Sequence, residues 1–228
     1  VHEHPALNRN VALELAVYSQ HSYDDPSTYK EGTEHFLEDH SLGFNDLQLG
    51  IYEQEDHVVL AFRGTDWVTD ALTDVDVFST SLSSHFDFVT AGRDLKVHDG
   101  FCKSLSREYA QIKQKLLEVI NDRELWVTGH SYGGALATLF AYVWSLDTGV
   151  DITNLYAFGS PRVFVNTKEQ PVSRYEEVVD NLLRIQMYDD PVTFYPNKGT
   201  THDILAHAKQ GSEYGSIIGA VVGAALGW

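Results

Sequence analysis

The spacing of apolar residues along the chain predicts strands that alternate with helices. Residues 58–62 are apolar without interruption, which is typical of a strand that is buried on both faces. Apolar residues recur at helical spacing from 105 to 119, and the polar pair Asn121 and Asp122 ends that helix. The predicted strands are residues 58–62, 125–128, 155–158 and 182–187, and the predicted helices are residues 6–21, 105–119 and 132–144.

This alternation predicts an α/β fold whose mostly parallel central sheet carries helices on both faces. The 228 residues are compatible with one domain spanning 1–228, because α/β folds of this length are often undivided. Residues 65–93 interrupt the pattern, since they combine many Ser, Thr and Asp residues with scattered aromatic ones. A long irregular stretch of this kind is usually a functional loop. We therefore expect a lid at residues 66–88.

The hydroxyl of Ser131 stands between the predicted strand 125–128 and the predicted buried helix 132–144. Its surroundings read Gly129-His130-Ser131-Tyr132-Gly133, a nucleophile elbow of the type found in α/β-hydrolases. Such an elbow strains the backbone at the serine and brings the two flanking glycines too close together for any Cβ atom. The strand before and the helix after favour Ser131 as a nucleophile over the alternative, a glycine-bounded turn with an incidental serine.

A nucleophilic serine needs a histidine base and a carboxylate that orients this base, and in α/β-hydrolases they follow the serine in the order acid, then histidine. The predicted strand 182–187 runs into Asp189 and Asp190, at the end of a strand where such sheets bind ligands. The alternative for this acidic pair is a solvated turn before Pro191. Only His202 and His207 follow, so the residues alone leave the base open between these two.

The charge of the chain excludes some partners. It carries 33 Asp and Glu residues against 16 Lys and Arg residues, a formal net charge of −17. This balance argues against nucleic-acid binding and against electrostatic docking on anionic lipid, and it favours a soluble, self-repelling surface. High salt or a cationic partner is the alternative reading. The single Cys102 cannot form an intrachain disulfide, and no apolar run reaches the roughly 20 residues needed to span a bilayer.

Five motifs in the same order resemble those of the class-three lipase family, the filamentous-fungal triacylglycerol lipases and their plant and bacterial relatives. The resemblance covers roughly residues 58–202. It is carried by Phe62-Arg63-Gly64-Thr65, His98-Asp99-Gly100-Phe101, Gly129-His130-Ser131-Tyr132-Gly133-Gly134-Ala135-Leu136-Ala137, Phe158-Gly159-Ser160-Pro161-Arg162-Val163 and Asp190-Pro191-Val192. It implies that Ser131 is the nucleophile and that Asp190 is the orienting carboxylate.

The same resemblance implies an oxyanion hole at Thr65 and Tyr132. Family members usually carry Leu at the position of Tyr132, so we expect the tyrosine ring to narrow or polarise the entrance for the acyl chain. His202 begins a His-Asp-Ile-Leu-Ala phrase that resembles the His-Asp-Leu-Glu-Ala phrase of plant members, which favours His202 over His207 as the base. The family's lid follows the oxyanion residue, in agreement with the lid expected at 66–88. His98, Phe158 and Arg162 are interpreted as structural.

The last residues repeat glycine every fourth position, at Gly215, Gly219, Gly223 and Gly227. This spacing is typical of a helix that packs closely against another helix or backbone. We expect a C-terminal helix at 212–228 that lies against the sheet, with a membrane or a partner protein as the alternative.

The sequence therefore predicts a triacylglycerol lipase that works through an acyl-enzyme. An A1-type phospholipase and a feruloyl-type esterase are the alternatives, and a catalytically inactive binding module is the alternative of another class. No cofactor or metal is expected, and His2 and His4 lie at a terminus expected to be loose. The partners expected are a lipid or other ester substrate and a lipid interface, contacted through the lid or the C-terminal helix. The resemblance favours secretion, but the given chain has no signal peptide, so compartment and oligomeric state stay open.

Overall fold

The computed structural model describes residues 8–24, 35–38, 47–64, 79–165 and 182–185. Within these ranges there are helices at α1 Arg9–His21, α2 Asp99–Val119 and α3 Tyr132–Thr148. The strands are β1 His35–Glu38, β2 Gln48–Glu53, β3 His57–Phe62, β4 Ser79–Ser81, β5 Lys96–His98, β6 Glu124–His130, β7 Asn154–Phe158 and β8 Leu182–Ile185.

Six of these strands form the central sheet, in the order β1-β2-β3-β6-β7-β8. The pairs β3–β6, β6–β7 and β7–β8 are parallel, whereas β1–β2 and β2–β3 are antiparallel. The sheet is mostly parallel, as the sequence predicts, and its antiparallel strands lie together at one edge. The short strands β4 and β5 form a separate antiparallel pair.

The side chains of β3 show how the sheet separates two apolar layers. All six residues of this strand are buried. Val58, Leu60 and Phe62 face the layer that contains α2 and α3, and Val59 and Ala61 face the layer that contains α1. Successive side chains of a strand point to opposite faces, so an uninterrupted apolar run needs cover on both sides. The predicted α/β fold with helices on both faces is confirmed.

Local hydrogen bonds set helix boundaries that differ from the predicted ones. Helix α1 begins at Arg9 rather than at 6, because the side chain of Asn8 caps it by accepting the N–H groups of Asn10 and Val11. Helix α3 continues past 144 to Thr148. The hydroxyls of Ser145 and Thr148 donate to carbonyls one turn back, so these polar residues are accommodated within the helix.

Strand boundaries also shift. Strand β6 extends to His130, beyond the predicted end at 128, because it pairs with β7 as far as His130 opposite Phe158. Helix α2 begins at Asp99, before the predicted start at 105. Of the predicted strand 182–187, residues 182–185 are a strand and the last two residues lie outside the described part of the chain.

The last part of the predicted lid belongs to the body of the fold. Residues 79–81 pair with β5, and Leu82 and Phe86 are buried in the same apolar layer as α2. The rings of Phe86 and Phe88 lie 5.5 Å and 5.9 Å from the ring of Tyr109. Residues 79–88 thus pack beside α2, where those aromatic side chains contact the core, and the lid at 66–88 stays a prediction. Residues 66–78 and the predicted C-terminal helix 212–228 lie outside the described residues.

Two residues interpreted as structural lie in the body of the fold. His98 is 2 % exposed, and its ring lies 4.9 Å from that of Phe101. Phe158 is the last residue of β7 and is buried against the layer of α1. The third, Arg162, is exposed. Of the helices described, none combines the length and the apolar character that crossing a membrane requires.

Candidate active site

Ser131 lies at the sharp corner between β6 and α3, as the elbow motif predicts. Its backbone has φ 55° and ψ −122°, a conformation that residues with a side chain rarely adopt. Two hydrogen bonds hold this corner: the N–H of Ser131 donates to the carbonyl of Phe158 at 2.9 Å, and its carbonyl accepts from the N–H of Ala135 at 3.2 Å. The first bond fixes the corner to β7 and the second opens helix α3.

The flanking glycines are required because two segments of backbone touch there. A Cβ atom on Gly129 would lie 2.4 Å from the carbonyl carbon of Gly133. A Cβ atom on Gly133 would lie 2.2 Å from the carbonyl oxygen of Phe62, at the end of β3. The elbow therefore fits only when both positions lack a side chain. The predicted contact between the two glycines accounts for Gly129, whereas Gly133 is restricted by the end of β3.

Helix α3 begins at Tyr132, directly after the serine. The first N–H groups of a helix have no partner within it, and the helix dipole favours negative charge at this end. An oxyanion that forms beside Ser131 would therefore be stabilised by the backbone of α3. This is the electrostatic feature that acyl transfer at a serine needs.

The ring of Tyr132 points into the core. Its side chain is buried in the layer of α2 and α3, and its hydroxyl donates to Ser104 Oγ of α2 at 2.7 Å. Burial raises the pKa of Tyr132 to about 12, so the hydroxyl stays protonated and can donate. The ring lies 5.3 Å from that of Phe101. The expectation that it narrows or polarises the entrance stays a prediction, because the residues expected to line the entrance lie outside the described part of the chain.

His130 is a site residue that the sequence patterns did not single out. It lies on the same face of β6 as Trp126 and Thr128, the face covered by α1. Its Nδ1 atom is 2.9 Å from the hydroxyl of Tyr23, just after the end of α1. Burial lowers the pKa of His130 to about 4, so the ring is neutral at neutral pH. Only its place inside the elbow motif could have drawn attention to it.

The end of β3 reaches the elbow on the same side. A Cβ atom on Gly64 would lie 2.0 Å from the Tyr23 hydroxyl oxygen and 2.6 Å from the carbonyl oxygen of His130. The guanidinium carbon of Arg63 stands 5.6 Å from the centre of the Tyr23 ring. Residues 63 and 64 thus lie against the segment that precedes the nucleophile. The predicted oxyanion residue, Thr65, follows Gly64 directly in the sequence.

The structure places two of the predicted site residues, Ser131 and Tyr132, next to each other at the junction of β6 and α3. Thr65, Asp190 and His202, together with the alternative base His207, lie outside the described residues. The complete triad and oxyanion hole therefore stay a prediction. Within the described ranges, no group of three or more His, Cys, Asp or Glu side chains could hold a metal ion.

The family model described as lipase (class 3) matches residues 59–200 of the chain. The chain belongs to the class 3 lipase family. The match spans the end of β3, the elbow and β7, which are the parts of the structure that meet at Ser131. Family membership confirms the expected resemblance.

A curated protein similar to this chain is the triacylglycerol lipase OBL1 of Arabidopsis thaliana. It is 34% identical over 102 residues, which cover 39% of this chain and 20% of the relative. The chain thus spans about a fifth of the length of this relative.

Solved structures of lipases share the fold. The triacylglyceride lipase of Rhizomucor miehei superimposes with a TM-score of 0.65 at 19% identity, covering 85% of this chain and 77% of that one. The Lip2 lipase of Yarrowia lipolytica gives a TM-score of 0.65 at 23% identity, covering 82% and 73%. A third structure, a triacylglycerol lipase whose catalytic centre is formed by a serine protease triad, gives 0.65 at 21% identity, covering 84% and 76%. These likenesses confirm the α/β-hydrolase fold.

Proposed function

We propose that this chain is a triacylglycerol lipase, a carboxylic-ester hydrolase that acts on lipid esters through an acyl-enzyme on Ser131. One observation carries the proposal: in a member of the class 3 lipase family, Ser131 occupies a strained corner at the N-terminus of a buried helix. The names of the relatives, which include triacylglycerol lipases of a plant and of a fungus, support the substrate class.

In this proposal, Ser131 Oγ attacks the ester carbonyl while His202 takes the hydroxyl proton. Asp190 holds the imidazole in the required tautomer, and the backbone N–H groups of Thr65 and Tyr132 stabilise the tetrahedral oxyanion. The alcohol leaves with the proton from His202. A water molecule, deprotonated by the same imidazole, then releases the fatty acid and regenerates the serine.

A fluorophosphonate probe tests the nucleophile, because only an activated serine reacts with it. We expect the purified chain to be labelled and Ser131→Ala to lose all label. Ser145→Ala is the matched control, since Ser145 lies near the other end of α3 and its hydroxyl only donates to the carbonyl of Ala141. A folded wild-type chain that takes no label would instead favour an inactive binding module.

A panel of three esters tests the substrate class: a long-chain triacylglycerol, phosphatidylcholine and methyl ferulate. We expect the highest kcat/KM for the triacylglycerol. A preference for phosphatidylcholine would identify an A1-type phospholipase, and a preference for methyl ferulate a feruloyl-type esterase. In each case Ser131→Ala should reduce turnover by about 10⁴-fold or more, since the nucleophile is shared by all three activities.

A further inference from the structure

Tyr23 stands between two backbone segments that border the nucleophile. Its hydroxyl lies 2.9 Å from Nδ1 of His130, the residue before Ser131. Its ring and hydroxyl also fill the space beside Gly64, where a Cβ atom would lie 2.0 Å from the hydroxyl oxygen. The guanidinium of Arg63 lies over the ring at 5.6 Å. One side chain thus contacts both the end of β3 and the end of β6.

The position of Tyr23 is fixed by the end of helix α1. The N–H of Tyr23 donates to the carbonyl of Gln20, and the N–H of Asp24 donates to the carbonyl of His21, both at 3.0 Å. Helix α1 is held on the sheet through Leu15, which is fully buried and whose carbonyl accepts from the hydroxyl of Thr128 in β6. Helix α1 thus packs on β6, the strand that leads into the elbow, and its end sets the position of Tyr23 beside the elbow.

The hydrogen bond with Tyr23 holds the ring of His130 in place. A neutral imidazole donates from one nitrogen and accepts at the other, and the Tyr23 hydroxyl can either donate or accept, so the bond at Nδ1 forms with either tautomer and fixes the ring orientation. Because burial lowers the pKa of His130 to about 4, this arrangement persists across the neutral pH range. The ring is part of a fixed support and not a proton carrier.

We infer that Tyr23 is a positioning residue for Ser131, acting through His130 and through the backbone at Gly64. The inference rests on the proposed function of Ser131 as nucleophile. The reacting oxygen and the oxyanion donors must be held to within a fraction of an ångström, and small misplacements reduce rates strongly. Tyr23 fixes the backbone immediately before Ser131 against the segment that leads to Thr65, without itself touching the reacting atoms.

The test compares Tyr23→Phe with Tyr18→Phe, a matched change on α1. Tyr18 packs on Tyr52 with ring centres 4.7 Å apart, away from the elbow. We expect Tyr23→Phe to lower the rate constant of fluorophosphonate labelling and kcat on a soluble p-nitrophenyl ester by about tenfold, with KM changed less than about twofold. Tyr18→Phe should keep the wild-type rates. Rates are measured at a temperature where melting curves show every variant folded.

A double-mutant cycle tests the route through His130. If the tyrosine acts through this imidazole, adding Tyr23→Phe to His130→Asn lowers the labelling rate no further than His130→Asn alone. Equal rates for Tyr23→Phe and wild type would overturn the positioning role. Independent losses that multiply in the double mutant would overturn the route through His130 and leave the contact at Gly64 as the route. A folded wild-type chain without any labelling would overturn the proposed function as well, so the two failures are distinguishable.

Discussion

At the scale of single residues, the elbow shows that neighbours impose the conformation of Ser131. A non-glycine residue in a rarely populated backbone region costs about 1–3 kcal/mol, and the surrounding structure must compensate for it. Here the carbonyl of Phe158 and the N–H of Ala135 hold the corner, and the missing side chains of Gly129 and Gly133 make room for it. Packing around the serine therefore sets the position of its hydroxyl.

Adding one methyl group at Gly133 should disturb this corner. Its Cβ atom would meet the carbonyl oxygen of Phe62 at 2.2 Å, so Gly133→Ala should reduce the free energy of unfolding by about 1–3 kcal/mol and abolish fluorophosphonate labelling. Gly92→Ala is the control, because nothing lies within 4 Å of a Cβ atom there. Urea unfolding and labelling measure the two effects. Unchanged labelling in Gly133→Ala would contradict the tight contact.

The lowered pKa of His130 predicts a pH dependence of stability. The folded chain keeps this imidazole neutral down to about pH 4, whereas an unfolded histidine binds a proton near pH 6.5. The unfolded state thus binds more protons between these values, so stability should fall as pH decreases from 6.5 to 4, by about 1.4 kcal/mol per unit of lowered pKa. Urea unfolding of wild type and His130→Asn should converge over this window, and a constant difference would contradict the prediction.

At the scale of elements, helices α2 and α3 are joined by two sets of polar contacts, one buried and one half-buried. The Tyr132 hydroxyl donates to Ser104, and the carboxylate of Asp147 accepts from both Tyr109 and Lys113, at 2.9 Å and 2.7 Å. Buried polar groups of this kind stabilise only while they are paired. These contacts fix how α3, which begins at the nucleophile, lies on α2.

The Tyr132 side chain should therefore matter for stability and not for chemistry. Tyr132→Leu, which introduces the residue usual in the family, removes a buried ring and leaves Ser104 without this partner. We expect a loss of about 2–4 kcal/mol in the free energy of unfolding, of which Tyr132→Phe should show about 1 kcal/mol. The labelling rate should stay near wild type in both, because the backbone N–H is unchanged. A large change in acyl-chain preference would instead place the ring at the entrance.

The other helix, α1, is held at its middle by a histidine between two carboxylates. The nitrogens of His57 lie 2.6 Å from Asp56 and 2.9 Å from Glu14, and the ring stacks on Trp126 at 3.8 Å. His57→Ala should cost about 2–3 kcal/mol, because it removes buried contacts and the link from β3 to α1. His21→Ala at the exposed end of α1 is the control in urea unfolding. Equal effects of the two changes would argue against this link.

The pattern of apolar residues in the sequence made the element types predictable, since β3 and α3 are apolar enough to require cover on every side. The helix boundaries depended on side-chain capping and on hydroxyl groups that donate to carbonyls one turn back. The spacing of apolar residues carries no information about either. The placement of Phe86 in the core, and of the Tyr132 ring against Phe101, depended on contacts between residues distant in sequence. The elbow was predictable because glycine at both flanking positions indicates that backbone segments touch there.

At the scale of the whole molecule, the large negative charge should make stability depend on salt. A formal net charge of −17 on 228 residues produces self-repulsion in the compact state, which added salt screens. Raising NaCl from about 10 to about 150 mM should increase the melting temperature by about 2–4 °C, equivalent to about 1 kcal/mol for a domain of this size. Sucrose at equal osmolality controls for nonspecific solute effects. A melting temperature that falls with NaCl would contradict the prediction.

The bond from Ser131 to Phe158 has a consequence for enzyme engineering. The contacts that set the serine backbone come from the ends of β3 and β7 and from the first turn of α3. A combinatorial library that leaves residues 62–64, 129–135 and 158 unchanged therefore keeps the residues that make these contacts. Such a library can be selected for substrate range. Reactivity toward a small fluorophosphonate then serves as an internal standard for the nucleophile. A variant with a new substrate preference keeps this reactivity, whereas a variant with a damaged nucleophile loses it.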